Sequence, residues 1–513
     1  MDLAVTSLAV PSGFPILSII LLGPIVAAVA LLFVPREEAW VIKSMAAMAT
    51  LGSLVLSLLV YFGYDRQAGG LQFQECIPWI TDLGVSYSLG VDGISLPLLM
   101  LTNLIGFSAV YASWNVKERP KEFFILLLLL ISGVMGTFIA QDLFIFFLFY
   151  EVVVIPIYIL IIVWGSTKRV TKEYAGMKLT IYLLMGSAFL LVGLIALYVK
   201  AYQITGIKCM DMTFLSQVPY PESFQILGFL LLGLGFCTLI SMWPFHSWSP
   251  DGYAGAPTAV SMIHAGVLKK IGGYGLIRIG LCMLPLGAKY WAPLIALLGV
   301  GNVVYAALIC MAQKDLKYVV GYSSVSHMGY ALIGFAALNV VSINGAIAMM
   351  FAHGVMAALF FAMIGNLYEK SHTRHIPDLG GLAHQMPVLA AGFMLAGLAS
   401  LGLPGLANFI GEFTVFVGAF GVYQVAAVLA ISGVVFTAVY ILRLLGNVLF
   451  GPRLPQWDVL KDMKGAEMIP LLVLGTVLIV VGIFPSLLMD TINSGVAPMV
   501  ARLGISLMVG GGW

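Results

Sequence analysis

Two acidic residues stand alone in long apolar stretches, Glu151 in LFIFFLFYEVVVIPIYILIIVW and Glu412 in LGLPGLANFIGEFTVFVGAF. A carboxylate at membrane depth costs roughly 2.5 kcal/mol or more, and chains keep one where it moves protons or ions or pairs with another buried charge. Lys178, Lys269 and Lys270 also fall inside apolar runs, as do His264, His327 and His353, while Arg278 and Arg443 lie nearer helix ends. Acids, lysines and histidines alternating within helices are what a proton relay requires. Burial brings the proton affinities of Lys and Glu toward each other, histidine titrates near neutrality already, and neighbouring groups then titrate as pairs.

Each of these residues also has a purely structural reading. Glu151 and Glu412 can serve as partners of nearby lysines or tyrosines. Lys178 follows the basic stretch Lys168–Lys172 closely enough to snorkel outward. Lys269 and Lys270 are adjacent and point about 100° apart on a helix, so at most one is expected to face a given pathway. His264 can simply hydrogen-bond a carbonyl. His327 stands beside Ser323, Ser324 and Ser326, which favours a hydrated polar helix. His246 is expected near an interface, and His372, His375 and His384 in solvated loops.

The elements that must position these groups follow from composition. Of 513 residues, 61% are hydrophobic and 9% charged, against about 25% charged in soluble domains. The class is therefore an all-α polytopic membrane protein. Fourteen apolar segments reach spanning length, ~20 residues each: 14–34, 42–63, 91–114, 121–140, 142–165, 174–199, 225–245, 256–281, 291–312, 316–338, 342–368, 387–421, 424–448 and 467–489. The first lacks a basic region before it and reads as a membrane helix rather than a cleaved signal. The twelfth contains Leu403-Pro404-Gly405 and the seventh ends in Met242-Trp243-Pro244-Phe245-His246, so both are expected to be broken. Breaks five segments apart predict two five-helix repeats, helices 4–8 and 9–13, the second inverted in the membrane. The corresponding divisions are 1–120, 121–285 and 286–450 for the first three helices and two half-channels, then 451–513 for helix 14 and a tail.

Lys and Arg set the orientation. Loops after odd-numbered segments carry fifteen, from Arg36 and Lys43 through Lys168, Arg169 and Lys172 to Lys461 and Lys464; the other loops and the tail carry Arg66, Lys200, Lys208, Lys289 and Arg502. Both termini are thus expected outside. Five cysteines without CxxC spacing argue against metal or iron–sulfur ligation in this chain. No phosphate-binding loop, dinucleotide fingerprint or basic nucleic-acid patch occurs.

Several motifs coincide in order. Pro244-Phe245-His246-Ser247-Trp248-Ser249-Pro250-Asp251 with Ala256-Pro257-Thr258 resembles the PxHxWLPDAHxxAPT signature of proton-pumping subunits. Gly321-Tyr322-Ser323-Ser324-Val325-Ser326-His327-Met328-Gly329, Leu367-Tyr368-Glu369-Lys370-Ser371-His372-Thr373-Arg374 and Gly411-Glu412-Phe413 match as well. Over nearly its full length the chain resembles the antiporter-like M-type (chain 4) subunits of bacterial NADH–quinone oxidoreductase, respiratory complex I. The resemblance implies a translocase subunit of the bacterial cytoplasmic (inner) membrane with no redox centre of its own. Flavin, iron–sulfur clusters and quinone would sit on partner subunits. Its partners would be neighbouring antiporter-like subunits, the peripheral arm and the lipid bilayer. It further implies that Glu151 is the helix-5 carboxylate, Lys270 the helix-8 lysine and Glu412 the helix-12 carboxylate of the exit half. His327 and His353 would lie on a central hydrophilic axis and Lys178 near the first half-channel.

One position departs from the pattern. The family's helix-7 lysine, seven residues before the motif histidine, is Leu239 here. Lys269 is a candidate replacement from the adjacent helix, and Lys178 another partner for Glu151. The alternatives are a D-type subunit of a multisubunit sodium/proton antiporter and a membrane-bound hydrogenase subunit. Glu412 favours the M type, because antiporter D-type and N-type subunits generally carry Lys there.

Overall fold

The computed structural model describes residues 13–167, 169–502 and 504. Lys168, counted among the basic loops, and both chain ends, whose sidedness the sequence predicts, lie outside the described residues. The chain opens with α1 (Ile16–Leu31) and α2 (Ala39–Gly63), then β1 (Gln72–Ile80) and β2 (Val85–Val91). Next come α3 (Ser95–Ala112), α4 (Pro120–Ile139), α5 (Leu143–Trp164), α6 (Lys172–Thr205), the single turn α7 (Met212–Leu215) and α8 (Glu222–Leu239). A short α9 (Trp248–Gly255) leads into a helical run made of α10 (Thr258–Ile263), α11 (Lys269–Gly275) and π-helical turns at His264–Leu268 and Leu276–Leu281. The rest is α12 (Pro285–Ala312), α13 (Leu316–Ala336), α14 (Val340–Ser371), α15 (Pro387–Ser400), α16 (Ala407–Phe420), α17 (Gln424–Leu449), α18 (Ile469–Ile483) and α19 (Ser486–Arg502). Among the described residues, ten helices are long and apolar enough to cross a membrane.

Two departures from the sequence reading stand out. The stretch expected to be a loop before the third helix is an antiparallel hairpin, with Cys76 opposite Ser88 and Ile77 opposite Tyr87. The chain is therefore mostly helical rather than wholly so. Its alternation of β-branched, aromatic and polar residues fits a pleated strand better than a coil. The hairpin is tied down by Glu75, which accepts from the Leu17 and Ser18 backbone N–H groups at the start of α1. The second departure is α19, where the sequence reading had only a tail. Pro485 separates it from α18, and it docks on α14, where Asn493 accepts a 2.9 Å hydrogen bond from Asn344.

Helices at the periphery expose apolar side chains, as Ile181, Val192 and Ile195 do on α6 and Val428 and Val435 on α17. The interior helices differ. The spanning window of α14 is wholly buried, and α13 is buried along nearly its whole length although it carries three serines and a histidine. Many of the buried polar groups therefore lie on helices with little exposed surface. In hydrocarbon an unpaired polar group costs several kcal/mol, so they must satisfy one another.

Candidate functional site

The break between α15 and α16 builds one end of the site. Pro404 has no N–H, so the Ser400 carbonyl four residues earlier loses its helical donor. His327 of α13 supplies a replacement, its Nε2 lying 3.1 Å from Ser400 O. Gly402 takes φ +67°, and a Cβ there would come within 2.2 Å of Glu412 Oε2. The glycine thus supplies both the left-handed turn and the space the carboxylate occupies. Glu412 Oε1 is 3.8 Å from His327 Nε2.

The second break, between α8 and α9, is closed by Asn302 of α12. It accepts from the Trp243 N–H at 2.5 Å and donates to the Ser241 and Val325 carbonyls at 3.1 and 3.3 Å. One buried amide therefore satisfies backbone groups on both sides of the interruption. α9 then places Asp251 and Tyr253 on opposite duties. Asp251 binds Lys178 Nζ at 2.7 Å and accepts from the Tyr318 hydroxyl at 2.8 Å. Arg169 stacks over the Tyr318 ring at 4.2 Å. The Tyr253 ring lies under Lys269 Nζ at 5.1 Å and edge-on to His264 at 4.8 Å.

Between the breaks runs a line of titratable side chains. The π-helical turns on either side of α11 shift the backbone register around Lys269 and Lys270, a feature that recurs at functional sites. Lys270 Nζ donates to the Ala265 carbonyl and lies 2.9 Å from His353 Nδ1 on α14. The His353 and His327 rings are 5.4 Å apart, centroid to centroid. His327 Nδ1 is 2.7 Å from the Ser323 carbonyl and 3.3 Å from its hydroxyl. Lys269 donates to Ser324 at 3.3 Å. Lys269, Lys270, His327 and His353 are all 0% exposed and Glu412 is 4%.

The hydrogen-bond accounting of His327 has a chemical consequence. Both ring nitrogens face carbonyl oxygens, yet a neutral imidazole has one N–H. The neutral ring satisfies one carbonyl at a time, and an added proton satisfies both. Lys270 and His353 likewise have two arrangements, ammonium donating to Nδ1 or Nδ1–H donating to a neutral amine. Shifting one proton within such a pair changes the state of the next.

The residues expected from sequence divide into three groups. Lys270, His353, His327 and Glu412 come together in one line, with Lys269 beside it. Both lysines of the adjacent pair are buried, and they have different partners, Lys270 on the line and Lys269 beside it. Lys178 is paired with Asp251 rather than reaching outward. Glu151 is half-buried on a face of α5 that also exposes Val152 and Ile155, and among the described residues it forms no ion pair. Lys269 makes its contacts with Ser324 and Tyr253 rather than with Glu151, and Leu239 is packed in the apolar core. His246 is 6% exposed, buried against Tyr305 rather than interfacial. His264 bonds no carbonyl and is held between Trp248 and Tyr253.

Sequence reasoning missed the partners. Asp251 was visible within the motif as an acid in an apolar run. Asp92 was equally visible in LGVDGISLPLLM, and it binds Arg278 at 2.7 Å, with Gln141 taking the other guanidinium nitrogen at 2.7 Å. Tyr318 and Tyr440 carry no such signal.

Broken helices around a buried line of acid, histidine and lysine define a membrane protein built to carry charge through its interior. Residues 140–437 match the NADH:quinone oxidoreductase/Mrp antiporter transmembrane family, and the chain belongs to it. It is 39% identical over 506 residues to NAD(P)H-quinone oxidoreductase chain 4 1 of Synechococcus sp. (strain JA-2-3B'a(2-13)), covering 96% of this chain and 94% of that one. It is 37% identical to NADH-quinone oxidoreductase subunit M of Rhodobacter capsulatus, covering 94% and 96%. Its fold is similar to a chain of respiratory complex I from Thermus thermophilus with bound NADH, with a TM-score of 0.86, 26% identity and coverage of 97% and 100%. A chain of the Mrp complex from Dietzia sp. DQ12-45-1b shares the fold, with a TM-score of 0.83, 19% identity and coverage of 96% and 99%.

Proposed function

We propose that this chain is the proton-translocating M-type membrane subunit of a complex I, coupling quinone reduction on partner subunits to proton passage through its own interior. The observation that carries this reading is the contact line Lys270–His353–His327–Glu412, buried throughout and closed at one end by a broken helix. Protons move along it by switching bonded arrangements, so no ion has to be desolvated in bulk. Lys178 with Asp251 supplies a second polar cluster toward the first half, and Lys269 stands between that cluster and the line. Glu151 on the outer face of α5 is the group best placed to meet a neighbouring subunit.

The finer architecture belongs to the same proposal. The ten long helices, with α1, the run 258–281, α13 and the broken pair α15–α16, make fourteen crossings. The two breaks mark two inverted five-helix units, within divisions at 1–120, 121–285, 286–450 and 451–513. The positive-inside bias sets both termini on the outer side of a bacterial inner membrane. Flavin, iron–sulfur clusters and quinone belong to the partner subunits.

The test is proton uptake by vesicles bearing the assembled complex with Glu412→Ala. The expected result is loss of pumping and of coupled electron transfer with assembly intact. Near-parental uptake would contradict the role. Co-purifying flavin and iron–sulfur subunits separate this reading from a sodium/proton antiporter, which has none.

A further inference from the structure

His327 has a connection that the line itself does not use. Its neighbour Ser323 holds its hydroxyl 2.9 Å from the hydroxyl of Tyr440 on α17. Tyr440 is 3% exposed and its hydroxyl also donates to Thr437 at 3.3 Å. Tyr440 also forms part of the wall of a cavity of about 270 Å³. That cavity is lined also by Lys314, Arg443 and Asn447, which are exposed, so it opens at the face of the protein carrying the 313–317 turn. A cavity, a phenol, a serine hydroxyl and an imidazole nitrogen thus follow one another, the last three within hydrogen-bonding reach.

We infer that Tyr440 and Ser323 form a proton inlet joining the cavity beneath Lys314 and Arg443 to His327. The inference rests on the relay reading above and adds to it a route by which the line is loaded in its second half. The chemistry balances without any further reactant. With the imidazole proton on Nε2, toward Ser400 O, the Nδ1 lone pair accepts the Ser323 hydroxyl proton. The Tyr440 hydroxyl turns from Thr437 to Ser323, which takes its proton, and a hydronium in the cavity restores Tyr440 and leaves as water. One proton has entered, and His327 is doubly protonated with both facing carbonyls satisfied. Its Nε2 proton is then the one nearest Glu412. Hydroxyls suit this task because each both donates and accepts, and bonded chains polarise one another in a low-dielectric interior.

The experiment uses the assembled complex in inverted vesicles, with Tyr440→Phe, Glu412→Gln and Asn447→Cys compared with the parent chain. Tyr440→Phe keeps the ring and removes the hydroxyl. It should lower proton uptake by about a hundredfold, the lower end expected for removing a proton-transfer group. Treating Asn447→Cys with a membrane-impermeant cationic methanethiosulfonate should give a loss beyond that of the similarly treated parent, reversed by dithiothreitol. A merely structural role for Tyr440 would not produce that reversible block. Parental uptake in Tyr440→Phe alongside loss in Glu412→Gln overturns the inlet and leaves the relay standing. Parental uptake in both overturns the relay as well. Complete labelling of Asn447→Cys with unchanged uptake overturns the inlet independently of how Tyr440→Phe folds.

Discussion

Lys270 and His353 come from helices 83 positions apart in the chain, yet Nζ and Nδ1 stand 2.9 Å from each other in a fully buried setting. Among the described residues, no carboxylate is bonded to either. The pair is held instead by the Ala265 carbonyl, within the π-helical turn, and by the neighbouring His327 ring. An ammonium and an imidazole in contact share their proton most easily when a third group can take it on, and in the proposed relay that group is Glu412, beyond His327.

His353→Leu removes the link between Lys270 and His327 while keeping side-chain volume close. Proton uptake is expected to fall by at least about tenfold, with subunit abundance in the membrane near the parental level. Immunoblotting and dye-quench assays on the same vesicles check both halves of this expectation. Parental uptake would mean that protons bypass α14.

Gly402→Ala tests the break rather than the acid. An alanine at φ +67° costs roughly 1–2 kcal/mol for the left-handed conformation, and its Cβ would meet Glu412 Oε2 at 2.2 Å. The carboxylate must move, so uptake should fall as it does in Glu412→Ala although the acid is still present. Uptake at the parental rate would separate Glu412 from the geometry of the α15–α16 turn.

The break itself was legible in the sequence because Pro404 removes a backbone donor wherever it stands. So were the class, the lone acids and the buried lysines, since each breaks the apolar pattern locally. What the sequence could not supply was pairing. Nothing local says that Asp251 meets Lys178 and Tyr318, or that His327 completes the Ser400 carbonyl, because those contacts join segments 67 to 73 residues apart. The hairpin at 72–91 was missed for a different reason. It is short, and its tie to α1 through Glu75 is a tertiary contact. α19 was missed because its apolar positions are too sparse to read as a spanning run.

Arg278 and Asp92 form a buried pair near the hairpin, 2.7 Å apart, away from the relay. Removing one partner of such a pair typically costs 3–5 kcal/mol, whereas replacing both with apolar residues is often neutral. Arg278→Met should therefore deplete the assembled subunit, and Arg278→Met with Asp92→Leu should recover much of it. Detergent-extracted complex on native gels gives the measurement. Equal depletion in the single and double variants would assign the loss to something other than the unpaired charge.

Asn302→Leu is expected to be as damaging as a break in the charge pair, for a neutral reason. It strands the Trp243 N–H and the Ser241 and Val325 carbonyls in an interior site. Each unsatisfied group costs about 1–3 kcal/mol, so the α8–α9 turn should loosen. Faster proteolysis within 240–247 in the variant checks this, and an unchanged cleavage pattern would count against it.

The most direct test of the relay is a double-variant cycle across its two ends. Proton uptake is measured in vesicles bearing Lys270→Met, Glu412→Gln and the two together, with abundance matched. If the four side chains act as one line, each single change lowers uptake by at least about tenfold and the double is no slower than the slower single, since groups acting as a unit are not additive. Losses that multiply in the double, or near-parental uptake in either single, would contradict the account.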